Sequence, residues 1–487
     1  MLEPNKKKYR LAIALIAKGS MNNLHREDIV DAFRAENVDV AFVVREDYVS
    51  LVQKMTGCEY LTCIFPKEGG YSEFLRQLLQ YARNLYPVGA IGRRETLQQD
   101  PGVRRKVIHA ILRIAARSRM CMRFIRRLEA LLYKKEQLSG IDSEKFDQLL
   151  LLGVGAHGAE HETKITWWAR QHRISVVHMI GNWDTLTSKG YPGAPVDRLL
   201  VWGPVMLKDA TQLHDIPEQN IRMIGAIRYD RIEESITQDR TTFLGACGLD
   251  VDKKTILFAG PLSEDQYFEM LQAFEVICED DQRYQMIFRI YPDKALMISP
   301  YVKPLIQYAR SLPNVYVSIG DPNYRIGRKD IAVLQVEQNE LWHALRYSDV
   351  VINYFSTIAL EACLFDTPVI SMAYRPMKNY GWIYPPKYAD HGTLPHNERL
   401  KEYGAVRRVY TRQQLVEAIQ DLVVHPDRGR EMRRYAVQEE FGNLDGNVCG
   451  RLVEECIEAY KAFNSERAHG GEYRTSQEKN FADERVA

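Results

Sequence analysis

Twice along this chain a short, continuously apolar run gives way to a glycine- or serine-rich turn and then to an amphipathic stretch, and the cycle repeats. The first series runs through 11–16 (LAIALI), 38–44, 60–65, 149–154, 174–179 and 198–202. The second runs through 254–259 (KTILFA), 285–290, 315–318, 350–352 and 368–370, with helical patterns near 264–279, 298–311, 338–347 and 357–365. Runs that are apolar throughout, without alternation, are what parallel strands covered on both faces require. Strand alternating with helix demands right-handed crossovers, so each series predicts a doubly wound sheet. The fold class expected is α/β with two Rossmann-like domains.

The expected boundaries follow the pattern. An N-terminal domain covers 1–235 and a second Rossmann-like domain 236–430, the polar stretch RYDRIEE at 228–234 preceding the new first strand. Helical periodicity from 411 to 460 predicts return helices over 431–463. Residues 464–487 carry no apolar pattern and are expected to form a disordered tail.

Composition narrows the function classes. Lys+Arg 65 against Asp+Glu 64 leaves a formal charge of +1, so net charge gives no reason to expect nucleic acid as a partner. The 8 cysteines are scattered, with no C-x-x-C pair to suggest a zinc or redox motif. The basic start MLEPNKKKYR is followed by an apolar run too short for a signal peptide, and no window approaches the ~18 apolar residues of a membrane span. A cytoplasmic location, at the inner face of the plasma membrane, is the expectation.

One insertion, about 101–137, breaks the rhythm. From 104 to 135 there are eleven Lys/Arg, among them Arg113, Arg117, Arg123, Arg126 and Arg127, and the single acid Glu129. That window carries +10, and the rest of the chain therefore −9. Ile108, Ile111, Leu112 and Ala115, then Cys121, Phe124, Ile125, Leu128 and Leu132, fall at helical spacing and predict an apolar stripe flanked by cations. Such a stripe serves either a helical insertion packed on the sheet, an anionic bilayer surface, or a polyanion.

Four stretches carry chemistry. Gly153, Gly155 and Gly158 form G-x-G-x-x-G after a strand, but the following strand ends without the acid a dinucleotide ribose needs, which points to a tight turn or acceptor loop. His157, Glu160, His161 and Glu162 cluster without the spacing of a zinc helix, so no metal site is expected, and His157 is a candidate base just after a strand end. The loop NWDTLTSKG at 182–190 offers Asp184 as a proton acceptor and Asn182 and Lys189 as acceptor-binding groups, or else an Asx-type turn. The most specific stretch is YSDVVINYFSTIALEACLFDTPVI at 347–370: strand, Ser/Thr turn, short helix, Pro-marked return, strand. Ser356 or Thr357 is expected to cap the helix, making a phosphate site at its positive end, and Glu361 to reach a ribose hydroxyl pair.

That last stretch resembles the donor-site segment of GT-B glycosyltransferases and their relatives, the CDP-glycerol glycerophosphotransferases and the Kdo and sialic acid transferases. NWDTLTSKG and VDRLLVWG (196–203) resemble N-domain segments of polysaccharide-assembly transferases, GAIRYD (225–230) their interdomain entry, and FGNLDGN (441–447) their C-terminal segment, whose helix packs back on the first domain. The resemblance covers roughly 175–460. It departs at FRIYP (288–292), where Tyr291 stands in the place of a histidine, which turns the expectation away from a cytidine donor.

The resemblance implies a metal-independent glycosyltransferase that needs no cofactor. It would move a sugar from a nucleotide donor to a hydroxyl of a cell-surface glycan or lipid-linked acceptor. Arg289, Tyr291, Ser356, Thr357 and Glu361 would hold the donor, and His157, Asp184 or, third, His25 would act as the base. A sugar-nucleotide 2-epimerase of the same fold and a non-catalytic nucleotide-sugar-binding module are the alternatives.

Overall fold

The computed structural model describes residues 9–16, 28–46, 49, 59–65, 75–76, 78–79, 82, 107, 110–112, 114–115, 117–133, 138–153, 159–188, 194–260, 264–291, 300, 302–319, 331–374, 392 and 394–468. The chain divides into two compact units, one of 1–230 with 440–487 and one of 231–439.

In the first unit the apolar runs become strands β1 (Arg10–Leu15), β2 (Asp39–Arg45), β3 (Glu59–Cys63), β4 (Gln148–Gly153), β5 (Ser175–Ile180), β6 (Arg198–Val201) and β7 (Ile221–Met223), all parallel in the order β3-β2-β1-β4-β5-β6-β7. β4 is buried along its whole length, as its unbroken LLLL run requires of a central strand. β7 has no counterpart in the sequence reading: at three residues (IRM) its edge position is set by pairing Leu199 with Ile221, not by any apolar period.

One face of this sheet is closed by the C-terminal helix Val448–Ala468. Val448, Leu452, Val453, Cys456 and Ala459 join Leu11, Ile13, Phe42, Leu150 and Val177 in one buried cluster. Burial of Val448, Leu452 and Val453 contributes about 1.5–3 kcal/mol each, which is what brings the end of the chain back to its beginning. The helix also runs through 464–468, five residues into the stretch expected to be a tail; 469–487 lie outside the described residues. At its entry Gly225 has φ +93, and a Cβ there would come 2.5 Å from the Asn443 carbonyl oxygen, so this crossing admits only glycine. Phe441 stacks on Trp202 at 5.8 Å and tilts against Tyr229 at 4.7 Å beside it.

The second unit repeats the plan with β8 (Lys254–Ala259), β9 (Tyr284–Ile290), β10 (Val315–Ile319), β11 (Val350–Asn353), β12 (Val369–Met372) and β13 (Arg407–Val409), again all parallel, in the order β10-β9-β8-β11-β12-β13. The helices Glu264–Asp280, Val302–Ser311 and Arg412–Val424 pack Phe274, Leu305 and Ile419 onto Phe258, Phe288 and Ile352. β13, reading RRV, is the second strand that periodicity did not reveal. The fold class is therefore α/β with two Rossmann-like doubly wound domains and a C-terminal helix packed on the first.

Candidate functional site

In an open parallel sheet, ligands bind at the carboxyl ends of the strands where the strand order reverses. In the second unit that point lies between β8 and β11. β11 runs into the turn 354–357 and then the helix Ile358–Leu364. Ser371 donates to Asn353 Oδ1 at 2.8 Å, and Asn353 Nδ2 lies 3.4 Å from both the carbonyl and hydroxyl oxygens of Ser356. Phe355, at φ +48, makes the sharp bend.

The expected hydroxyl cap is absent. Thr357 is already helical (φ −54, ψ −24) and its side chain makes no cap bond. The N–H groups of Ala359, Leu360 and Glu361 return to the carbonyls of Ser356 and Thr357 instead. One turn on, Glu361 is 3% exposed among Ala359, Leu360, Ala362 and Cys363, an acid where packing alone calls for an apolar residue.

Arg289 and Tyr291 sit at the end of the neighbouring strand β9. Arg289 Nη1 donates to Ser318 Oγ at 2.7 Å and lies 3.3 Å from Glu340 Oε1, and Ser318 donates to the same carboxylate at 2.6 Å. The arginine expected to face a diphosphate is thus engaged with Ser318 and Glu340, and a ligand phosphate would compete with a carboxylate for it. Burial and the Glu340 charge push the nearby Tyr316 hydroxyl up to about 12. Tyr291 donates its backbone N–H to Tyr267 Oη at 2.8 Å and packs at the edge of the core.

The sequence reading missed what braces the 354–357 turn. The Arg408 guanidinium lies 5.1 Å over the Phe355 ring, pairs with Glu398 at 2.5 Å, and donates to the carbonyls of Gly392 (3.3 Å) and Asn397 (3.2 Å). His396 and Asn397 are buried beside them. The only signal was the pair Arg407-Arg408, whose strand was itself not legible.

In the first unit His25, His157 and Lys189 lie outside the described residues, as do Gly155 and Gly158. Asp184 Oδ2 accepts from Ser188 Oγ at 2.9 Å, and its carbonyl accepts from the Ser188 N–H at 2.9 Å, so it anchors the short helix Thr185–Ser188 in an Asx-like arrangement. Asn182 is half-buried, its carbonyl accepting from Thr185 N–H at 3.2 Å. The intervening Trp183 is fixed by donation to Glu440 Oε2 at 2.7 Å, both buried. Gly153, the first glycine of the glycine motif, has a packing explanation: a Cβ there would meet His178 Nε2 at 1.7 Å. Glu160 pairs with Lys164 at 3.1 Å and His161 meets Phe65 edge-on. Among the described residues no group of three His, Cys, Asp or Glu is placed to hold a metal ion.

The basic insertion includes the helix Arg119–Tyr133. Met122 and Ile125, with Leu128 and Leu132 partly buried, pack on Leu79 and Ala82, whereas Phe124, expected in the same stripe, is 59% exposed. Arg123 is paired with Asp215 at 3.0 Å, while Arg117 and Arg127 are exposed. The side chains of Arg113 and Arg126 are outside the described residues. Among the described residues no helix is long and apolar enough to cross a membrane.

No protein-family model and no curated protein sequence matches this chain. Solved structures do. The UDP-GlcNAc 2-epimerase of Methanocaldococcus jannaschii aligns over 92% of this chain and 99% of its own, at 12% identity and TM-score 0.51. That of Neisseria meningitidis, bound to UDP-GlcNAc, aligns over 92% and 99% at 11% identity and TM-score 0.50. A glycosyltransferase of Rickettsia africae aligns over 94% and 99% at 11% identity with a TM-score of 0.46. At such identities the likeness concerns the fold, and the two sheets in β3-β2-β1-β4 and β10-β9-β8-β11 order give this chain the GT-B architecture of paired Rossmann-like domains.

Proposed function

We propose that the protein acts on a nucleoside diphosphate sugar held by the 231–439 unit, and that it transfers the sugar to a hydroxyl of a glycan or lipid-linked acceptor. The observation that carries this reading is Glu361: a carboxylate 3% exposed in an apolar helix that leaves the strand beside the sheet's reversal point. A carboxylate there suits the paired hydroxyls of a ribose, and Ser356 and Thr357 precede it with hydroxyls not used as a helix cap. The resemblance to polysaccharide-assembly transferases supports transfer as the reaction and the cell envelope as its setting. The base is proposed among Asp184, His157 and His25, and acceptor contacts at Asn182 and Lys189.

Epimerisation of the donor sugar is the second reading, and the chain-long likeness to UDP-GlcNAc 2-epimerases favours it. The two separate in one experiment. The protein is incubated with UDP-GlcNAc alone and the sugar followed by NMR. Isomerised product would establish epimerisation. Binding without turnover, with GlcNAc moved onto the acceptor and UDP released only when a lipid-linked glycan acceptor is added, would establish transfer. In Glu361→Gln, UDP should bind about ten- to hundredfold more weakly, the loss of a charge-assisted hydrogen bond. Unchanged affinity would remove the ribose role.

A further inference from the structure

We propose that the exposed apolar side chains of the helix Arg119–Tyr133, together with Val107, Ile111 and Ile114 before it, form a docking surface for a bilayer rich in anionic lipid. The proposal stands on the first unit alone and does not depend on which reaction the protein performs. The helix Arg119–Tyr133 has two apolar faces. Met122, Ile125, Leu128 and Leu132 turn inward to a small core with Leu79 and Ala82. Met120 (76% exposed), Phe124 (59%) and Leu131 (60%) recur at i, i+4 and i+11 on a separate, solvent-facing stripe, about 115° around the helix from the inward one. The preceding helical residues Val107, Ile111 and Ile114, at i, i+4 and i+7, are 55%, 60% and 70% exposed. Six large apolar side chains in 25 consecutive positions, 107–131, are far from the isolated exposed leucine that needs no explanation.

The charge around them selects the occupant. Arg127 falls on the same face, three residues after Phe124 and four before Leu131, and Arg117 is exposed at the break between the helical stretches. Arg119 and Arg123, one turn apart, point elsewhere, both to Asp215. The window 104–135 carries +10 while the rest of the chain carries −9. Apolar groups that need burial, interleaved with cations whose long stems keep their charge at a polar boundary, match the acyl edge and the headgroups of an anionic bilayer together. A protein partner with an apolar groove would account for the first and not for the +10 carried by the 104–135 window.

The test is vesicle flotation of the full chain with phosphatidylcholine alone and with phosphatidylcholine mixed with phosphatidylglycerol, at low and high salt. The wild type should float only with the anionic vesicles, and less at high salt. The exposed-face variant Met120→Ser/Phe124→Ser/Leu131→Ser should bind at least about tenfold more weakly. Arg117→Gln/Arg127→Gln should lose about 25-fold, near fivefold per cation, and its salt dependence should flatten. Unchanged circular dichroism and unfolding temperature would show that both variants fold. The proposal is overturned if the wild type ignores both vesicles, or if the variants bind like wild type. It is equally overturned if the wild type sediments as a dimer that the serine variant dissolves, which would make this face a contact between copies.

Discussion

Asp230 accepts hydrogen bonds from the backbone N–H groups of Gly446 (2.8 Å) and Val448 (2.9 Å), 216 and 218 positions later in the chain. A carboxylate from the end of the first unit's main segment therefore satisfies two donors at the start of the last helix, while the Asn447 N–H between them goes to the local Asp445 carboxylate at 3.0 Å. Asp230→Ala leaves buried N–H groups without an acceptor and should cost about 1–3 kcal/mol in urea unfolding, with Asp230→Asn intermediate. Equal midpoints for wild type and alanine variant would mean that water replaces the bond.

Gly153 and His178 make a second such pair, on neighbouring strands β4 and β5 but two register positions apart, Gly153 lying opposite Ile180 and His178 opposite Leu151. The missing side chain of one leaves room for the imidazole of the other. Gly153→Ala should destabilise by about 1–3 kcal/mol through overpacking. Made in a His178→Ala background, the same substitution should cost much less. A constant cost in both backgrounds would show that the clash is not with the imidazole.

His178 also predicts an acid limb. Burial lowers its pKa from 6.5 to about 4, and its Nε2 is buried with no hydrogen-bond partner among the described residues. Between those values the unfolded chain binds the proton and the folded chain does not. Its contribution is thus complete above pH 6.5 and is lost as pH falls toward 4, by about 3 kcal/mol. Urea midpoints at descending pH should fall less steeply for His178→Gln than for wild type, and parallel slopes would place the ring in water.

The Arg289–Ser318–Glu340 network should behave as a unit. Arg289→Ala leaves the Glu340 carboxylate, already half-buried, without its counter-charge, and Glu340→Ala does the converse. The double variant should be less destabilised than the two single losses added, with a coupling of about 1–2 kcal/mol. Additive losses would show that the arginine is not held by Glu340 in solution.

The alternation of apolar runs and amphipathic stretches was legible because burial on both faces leaves a local, continuous mark, as in the Leu149–Leu152 run of β4. β7 and β13 left no such mark. Three-residue edge strands such as Arg407–Val409 are held by the neighbour's ladder, so a polar RRV serves as well as an apolar run. Within the candidate site, the positions of Ser356, Thr357 and Glu361 after a strand could be read from spacing. That Thr357 would not cap its helix could not, because capping depends on a backbone angle. The Arg408–Phe355 brace was invisible for another reason: its partners are 53 positions apart, and Arg408 belongs to no motif that would point it at the 347–370 stretch.

By itself the sequence determined that this chain makes two parallel α/β sheets and carries a cationic, apolar helical insertion, since period and charge are properties of neighbouring residues. The tertiary structure alone decided what each polar group meets. It gave Arg289 to Glu340 and Gly153 to His178, and it turned Met122 inward while Met120 and Phe124 faced out. Those choices follow from which segments the sheet order brings together, and packing against a distant partner leaves no period in the local sequence.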